Sequence, residues 1–485
     1  MLLTDHPRTG NMSSTMTTME TPIVPQRSGG VPDTRLCSGP VLAIAAASVA
    51  LGTRFFLIIS KYSINVFFFD QWSYLTPFFR HQPSFAELFF LQHGPHREGI
   101  GLFADKFLYP LTHWNARVDS FLIGGSIFVA MLLALRLKCK LYGALSYSDL
   151  AIPVIFLSLA QYEMLVGASN PACSGLPLVM MMLYCLALLG RNRLLRYLLV
   201  LALNFLLIYT GYGLFMGAVT MGVFLLECYW SWRHLTSAPF VQAAAGLIVA
   251  AASLASFFIH YTFVPGVRCF QVPQRHLLQY ARFTGLMFVG SVVPRPLHVS
   301  LAMTALGAAI LLVVVSVLAW HLIHLLKGAG SETHLVGVVL LSYCLLFSAS
   351  ASVGRLCLGM QAAFASRYVT LLIPAFLAIY FYLLSQSWHG KRNLVLTLWV
   401  LLLVPAAVRK PWEDIRWYSN GKRDWANCYV HTENIHYCDQ TANFSIHPDP
   451  EQIGDFGHGP DLQLQQKLDY LKEHRLNLFY DRSLK

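Results

Sequence analysis

The chain has 485 residues, of which 55% are hydrophobic and only 12% are charged, with a formal net charge of +11. So few charged side chains could not cover a soluble protein of this length, which excludes a soluble enzyme and a disordered chain. The basic residues form no soluble basic module, so nucleic acid is not a predicted partner. The composition is typical of an all-α polytopic membrane protein.

The apolar stretches predict about eleven transmembrane helices. Residues 1–40 are rich in Ser, Thr, Pro and Gly and predict a disordered cytoplasmic tail. Residues 41–410 form the predicted membrane domain, because its apolar stretches are long enough to cross about 30 Å of hydrocarbon. These stretches are 41–60, 119–137, 149–167, 172–190, 194–210, 211–228, 239–262, 297–326, 335–353, 367–386 and 393–409. Thr210–Gly213 predicts a very tight turn between two of them.

The loop charges predict the orientation in the membrane. If the N-terminus is cytoplasmic, every inner loop is basic, as the positive-inside rule requires. Those basic residues are Arg136, Lys138, Lys140, Arg191, Arg193, Arg196, Arg233, Lys327, Lys391 and Arg392. Residues 411–485 then form a small outer C-terminal domain, where Cys428 and Cys438 could form a disulfide in an oxidising compartment.

The first outer loop, residues 70–118, opens with a carboxylate after an aromatic run, Phe67-Phe68-Phe69-Asp70. Two short amphipathic helices on the membrane surface are predicted, the first beginning at a capping box of Ser84 and Glu87. Asp70 has two interpretations. It is either an interfacial acid that caps a helix or pairs with Arg97, or a general base whose pKa is raised by partial desolvation.

A polar segment containing His93 and His96 lies between the two helices. The pair, with Asp70 and Glu98 nearby, is compatible with a divalent metal. However, the spacing is common and Pro95 interrupts a regular helix, which favours hydrogen-bonding histidines. We therefore predict neither a metal site nor a cofactor.

Acids are scarce in the membrane region, and only Asp149, Glu163, Glu227 and Glu332 lie between residues 120 and 410. Glu163 is the one predicted to face outward. It either pairs with an arginine of another helix or lies beside Asp70 in an outward cavity.

Six arginines are predicted on the outer side, where guanidinium groups could bind phosphate oxygens or extend to lipid phosphates. They are Arg268, Arg275, Arg282, Arg295, Arg355 and Arg367. Together they favour a phosphate-binding cavity.

These features resemble the GT-C class of membrane glycosyltransferases, which includes protein mannosyltransferases and lipid A aminoarabinose transferases. The resemblance rests on an acid just after the first span, a long outer loop with amphipathic helices and an outward C-terminal domain. It implies a sugar donor carried on polyprenyl phosphate, with Asp70 as the catalytic acid and Glu163 as a second cavity acid.

The chain is also similar to uncharacterised bacterial membrane proteins that carry four short motifs. Here these are Asp70-Gln71-Trp72, Gln92-His93-Gly94-Pro95-His96-Arg97, Gln161-Tyr162-Glu163 and Ser366-Arg367-Tyr368. The resemblance implies a location in the bacterial inner membrane. We predict Gln92, His93, His96, Arg97 and Tyr368 as substrate-orienting residues. The predicted donor-phosphate ligands, taken from the outer arginines, are Arg268, Arg275, Arg282, Arg355 and Arg367.

We therefore predict a glycosyltransferase that moves a sugar from a polyprenyl-phosphate donor to a lipid, glycan or protein acceptor on the outer face. Asp70 would be the base, and membrane lipids would be the other partners. One alternative is an O-antigen or exopolysaccharide polymerase that uses the outer arginines. The other is a lipid or solute transporter, for which acids near the bilayer midplane are expected.

Overall fold

The structure is a computed structural model that describes residues 38–263, 277–293, 296, 298–328, 331–387, 390–408, 411–447 and 464–480. The predicted N-terminal tail therefore lies outside the described residues up to residue 37. The described part is mostly helical, with one two-stranded antiparallel hairpin, β1 (Gln92–His93) and β2 (His96–Arg97).

Twenty α-helices are present in the described residues. In the first half of the chain they are α1 Gly39–Tyr62, α2 Asp70–Tyr74, α3 Thr76–Arg80, α4 Phe85–Phe90, α5 Gly99–Leu111, α6 Arg117–Tyr142, α7 Ala151–Phe156, α8 Tyr162–Val166, α9 Gly175–Leu188, α10 Arg193–Ile208, α11 Leu214–Arg233 and α12 Ser237–Ser256. They continue as α13 Leu278–Gly290, α14 Leu301–Leu326, α15 Glu332–Arg355, α16 Val369–Ser385, α17 Arg392–Val408, α18 Trp412–Thr432, α19 Ile435–Thr441 and α20 Leu464–Glu473. Short 3-10 turns lie at Tyr147–Leu150, Leu159–Gln161, Pro171–Cys173, Leu356–Leu358, Met360–Phe364, Ser366–Tyr368 and Asn477–Phe479.

Eight helical segments of the described chain are long and apolar enough to cross a membrane. They are Gly39–Tyr62, Arg117–Tyr142, Tyr147–Val166, Leu214–Arg233, Ser237–Ser256, Leu301–Leu326, Glu332–Leu358 and Ser366–Ser385. The other three predicted spans are helices α9, α10 and α17, with 14, 16 and 17 residues. A perpendicular span needs about 20 residues. A helical multi-pass membrane protein is confirmed, and the count of eleven stays a prediction.

The predicted tight turn between α10 and α11 is present and anchors the outer hairpin. Gly211 has a φ of +45°. A Cβ at Gly213 would lie 1.6 Å from the carbonyl oxygen of Leu207, so only glycine fits there. The Gly211 amide donates to the carbonyl oxygen of Arg97 at 2.8 Å. This bond fixes β2 against the outer end of the α10–α11 pair.

The two amphipathic helices of the outer loop are α4 and α5. The Glu87 amide donates to the Ser84 hydroxyl at 3.1 Å, as expected for the first part of a capping box. In α5, Phe107 and Leu111 are exposed, whereas Leu102 and Tyr109 are buried. An exposed apolar face on a short outer helix suits the membrane interface.

The described C-terminal residues share a core with the outer loop. Trp425, Tyr429 and Leu468 pack together with aromatic residues of the segment from Val66 to Trp114. The buried Lys467 donates to the Thr76 hydroxyl at 2.9 Å and also to the carbonyl oxygen of Trp72. The C-terminal segment therefore helps to hold helices α2 and α3 in place.

Candidate functional site

Asp70 stands at the first position of α2, on a turn that its neighbours fix. Phe68 is buried, and Phe69 adopts a φ of 51°, an unusual conformation for a side chain of this size. The side-chain oxygen of Gln71 accepts from the Phe68 amide at 2.9 Å, and its nitrogen donates to Asp119 at 2.7 Å. The turn therefore presents Asp70 on a preorganised backbone.

The Asp70 carboxylate faces the imidazole of His93. Asp70 Oδ1 lies 3.8 Å from His93 Nε2, and the Asp70 side chain is 55% exposed. Desolvation raises the pKa of Asp70, but the close approach of His93 and the positive charges of Arg367 and Arg355 outweigh it. The pKa of Asp70 therefore lies well below its usual value. This corrects the expectation of a raised pKa.

His96 pairs with His93 across the hairpin and packs on Tyr212, with ring centroids 4.3 Å apart. Burial, together with the charges of Arg355 and His93, lowers the pKa of His96 to about 3. His96 is therefore a neutral hydrogen-bonding group at physiological pH. Within the described residues, no group of three or more His, Cys, Asp or Glu side chains is arranged to hold a metal ion.

Glu163 is paired with Arg367, one of the two interpretations that the sequence left open. Glu163 Oε1 lies 3.6 Å from Arg367 Nη1, and the Arg367 amide donates to Glu163 Oε2 at 3.2 Å. The Ser366 hydroxyl accepts from the Glu163 amide at 3.2 Å. The motifs around Glu163 and Arg367 thus lie together, and Glu163 holds Arg367 in position. Its role as a second catalytic acid stays a prediction.

Two of the predicted phosphate ligands, Arg355 and Arg367, act electrostatically on Asp70. Both also act on Tyr212. The Arg367 guanidinium lies over the Tyr368 ring, 5.7 Å from its centroid, so Tyr368 is part of the same surface. We call Asp70, His93, His96, Arg355 and Arg367 the outer cluster. It combines one carboxylate, two guanidinium groups and two imidazoles.

The other predicted arginines do not join the outer cluster in the described structure. Arg268 and Arg275, like Arg295, lie outside the described residues. Arg282 is exposed on α13 and its Nε donates to the Thr304 hydroxyl at 3.2 Å. None of its described contacts connects it to Asp70.

Gln92 and Arg97 are scaffold residues. Gln92 donates to the carbonyl oxygen of Thr262 at 2.8 Å and accepts from the Thr262 amide at 2.9 Å. Arg97 is 1% exposed and donates through Nε to the carbonyl oxygen of Phe257 at 2.7 Å. Its other guanidinium nitrogens donate to the carbonyl oxygens of Phe90 and Ile259. These bonds hold both side chains in the scaffold, and their role in orienting a substrate stays a prediction. Asp70 contacts His93 instead of Arg97.

We expect Arg97→Gln to reduce the thermal stability of the purified protein by about 3–5 kcal/mol, because buried carbonyl groups lose a charged partner. Arg423→Gln is the matched control, since Arg423 is exposed on α18. Thermal unfolding in detergent measures both variants. Equal unfolding temperatures for the two would show that Arg97 does not hold the hairpin.

Three buried acids lie near the outer cluster, and of these the sequence singled out only Glu98, as a possible metal ligand, and missed Asp105 and Asp119. Glu98 is 2% exposed and accepts from Asn170 Nδ2 at 3.1 Å, and its burial raises its pKa. Asp105 follows Glu98 by seven residues, which is two turns of α5. This spacing places the two acids on the same side of the helix and could have pointed to Asp105 from the sequence. Asp119 lies just before the acid-poor region of the chain.

Comparisons of the chain with protein-family models, curated proteins and solved structures find no match. The functional argument therefore rests on the chemistry of the outer cluster. Guanidinium groups bind phosphate oxygens, and a carboxylate beside them can accept a proton.

Proposed function

We propose that the protein is an inverting glycosyltransferase that uses a sugar carried on polyprenyl phosphate. The observation that carries the proposal is the placement of the Asp70 carboxylate within the fields of two arginines, Arg355 and Arg367. This arrangement suits a reaction in which an anionic phosphate leaves while a hydroxyl loses its proton.

Asp70 would take the proton as the acceptor O–H bond breaks. The acceptor oxygen forms a bond to sugar C1, the bond between C1 and the phosphate oxygen breaks, and the phosphate keeps the electron pair. Arg355 and Arg367 would stabilise its charge. A bound phosphate also neutralises the cations that lower the pKa of Asp70. Donor binding would therefore raise this pKa and make Asp70 a better base.

A groove on the apolar surface could hold the lipid chain of a donor, and its lining residues are separate from those of the outer cluster. It has a volume of about 520 Å³ and lies between α1 and α6, with Phe56, Leu57 and Phe128 among its lining residues. Ser60 also lines it, and the Ser60 carbonyl oxygen accepts from Arg117 Nη2 at 2.7 Å. An apolar groove with a cation at one end suits a lipid chain that carries a phosphate.

The disulfides support an outward orientation of the outer cluster. Cys428 and Cys438 form a disulfide in the C-terminal segment, and Cys357, two residues after Arg355, is also disulfide-bonded. Disulfides persist in oxidising compartments. The proposal therefore places the cluster on the outer face of a bacterial inner membrane, with the N-terminus in the cytoplasm.

Two natural acceptor sequences for N-glycosylation test this orientation, Asn11-Met12-Ser13 and Asn443-Phe444-Ser445. Asn443 is exposed in a turn after α19. In translation with microsomes, we expect one glycan that is lost in Asn443→Gln and kept in Asn11→Gln. The gel shift after deglycosylation measures this. A missing glycan in the wild type, or one that depends on Asn11, would contradict the orientation.

Mass analysis of cell-surface glycans tests the function. A strain that lacks the protein should lack one sugar substituent, and the wild-type gene should restore it. Unchanged sugar composition with shortened polysaccharide chains would favour the polymerase alternative. Transport of an unmodified lipid or solute would favour the transporter, although Asp70 and Glu163 lie at helix starts.

A further inference from the structure

A second polar cluster lies directly behind Asp70 and has no part in the proposed chemistry. Asp105 in α5 and Asp119 at the start of α6 are 1% and 0% exposed. Asp119 Oδ2 accepts two hydrogen bonds of 2.7 Å, one from Gln71 Nε2 and one from the Tyr109 hydroxyl. This cluster connects through Gln71 to the turn that carries Asp70.

Three carboxyl oxygens in this cluster have no donor among the described residues. They are both oxygens of Asp105 and Oδ1 of Asp119. Asp105 lies one helical turn before Tyr109 in α5, and the Tyr109 hydroxyl donates to Asp119, so the two carboxyl groups lie on the same side of α5 and interact electrostatically. An ionised carboxylate can only accept, so two ionised groups cannot satisfy each other. Two adjacent buried charges of the same sign are also costly.

We infer that Asp105 and Asp119 share one proton, with Asp105 as the donor, and that this acid pair is a positioning element for Asp70. The proton gives Asp119 Oδ1 the donor that it otherwise lacks. It leaves one negative charge on Asp119, whose other oxygen already accepts from Gln71 and Tyr109. One proton on Asp105 therefore satisfies Asp119 Oδ1 and the Asp105 oxygen that carries it, and the second Asp105 oxygen keeps no donor among the described residues.

The surroundings agree with a single remaining negative charge. Lys422 of α18 is 3% exposed, donates to the carbonyl oxygen of Gly167 at 2.6 Å and interacts electrostatically with Asp119. The other titratable groups that face the pair are Glu98, Tyr74 and Tyr109. Burial, then Asp119, then Glu98 raise the pKa of Asp105 well above its usual value.

The link to Asp70 runs through one amide side chain. The Asp119 carboxylate accepts a hydrogen bond from the side-chain nitrogen of Gln71, and the side-chain oxygen of Gln71 accepts one from the Phe68 amide. A second charge on the acid pair would draw Lys422 or Gln71 toward Asp105 and alter this turn. The positioning role rests on the proposed function of Asp70, whereas the shared proton does not.

Infrared spectroscopy of the full-length protein in nanodiscs at neutral pH tests the shared proton. We expect the absorption of a buried protonated carboxyl group in the wild type, and its loss in Asp105→Asn. The amide of that variant can still donate to Asp119, so the fold should persist. The Glu98→Gln variant shows whether Glu98 contributes to this absorption. The Glu87→Gln variant is the control for an exposed carboxyl group. A wild-type spectrum equal to that of Asp105→Asn would overturn the proposal.

Stability against pH gives a second test with a defined sign. A carboxyl group with a raised folded-state pKa stabilises the protein at low pH, and this contribution is lost as pH rises from about 4 toward the folded pKa. The wild-type unfolding temperature should therefore fall more steeply than that of Asp105→Asn between pH 5 and 8. Parallel curves would overturn the proposal.

The positioning role has its own readout. Asp105→Ala, which removes the donor, should lower kcat at least tenfold with KM nearly unchanged, and Asp105→Asn should restore most of the loss. Equal activity of Asp105→Ala and the wild type would overturn the positioning role. Asp70→Asn should keep the infrared band, so failure of the proposed function would leave the shared proton as a separate result.

Discussion

The Asp70→Asn variant should lose sugar transfer by about 10²–10⁴-fold, the usual contribution of a general base. The amide has the same size as the carboxylate but cannot take a proton from the acceptor hydroxyl. The amount of folded protein should stay normal, because the exposed carboxylate has one described ionic contact, the 3.8 Å approach to His93. The measurement is the transferred sugar on cell-surface glycans, by mass, in a deletion strain that carries each variant.

Glu87→Gln is the matched control for this experiment. Glu87 is an acid of the same outer loop, and its partner is His81 at 3.0 Å, away from the outer cluster. We expect this variant to transfer sugar as the wild type does. Full transfer by Asp70→Asn at normal expression would refute Asp70 as the base and remove the main support for a transferase.

The membrane helices could be predicted because their signal is local. An apolar stretch of about 20 residues already satisfies its own backbone as a helix. The tight turn at Gly211 and Gly213 and the helix start at Ser84 could be predicted for the same reason, since each depends on adjacent residues. This local signal is not sufficient for α9, α10 and α17, which are shorter than a full span. Composition alone does not decide how far these helices extend into the membrane.

The partners of the site residues could not be predicted, because they come from distant parts of the chain. The sequence places Asp70 near lipid, which led to the expectation of a raised pKa. The fold adds His93 from the same loop and Arg367 and Arg355 from nearly 300 residues later, and together they reverse the direction. Arg97 illustrates the same limit, since its contacts with the carbonyl groups of Phe257 and Ile259 depend on where α12 ends.

The outer cluster is supported by two layers of buried polar groups. Lys467 holds the carbonyl oxygen of Trp72 just after Asp70, and Gln71 and Asp119 hold the turn before it. The Glu163 carboxylate likewise holds Arg367 in position by accepting a hydrogen bond from its amide. A site whose charged groups are fixed before substrate binds needs little reorganisation during the reaction. The buried acids and lysines near the cluster are best explained as parts of this support.

Arg367→Gln should reduce kcat/KM by about 10²–10³-fold, because the leaving phosphate loses a charged hydrogen-bond donor. The variant also removes a cation that lowers the pKa of Asp70. That pKa should rise, and the acid limb of the pH profile of kcat/KM should move to higher pH. Arg282→Gln is the matched control, since Arg282 lies on the exposed face of α13 and contacts Thr304. It should change neither the rate nor the profile.

The Glu163→Gln variant then decides what Glu163 does. If Glu163 acts by holding Arg367, the double variant Glu163→Gln/Arg367→Gln should be no slower than Arg367→Gln alone, because one interaction is removed in both. If Glu163 is a second catalytic acid, the two losses should multiply. The contacts favour the first outcome, since Oε1 and Oε2 of Glu163 lie 3.6 Å and 3.2 Å from the side chain and the amide of Arg367. If the losses of kcat/KM multiply in the double variant, Glu163 would be assigned as a second catalytic acid.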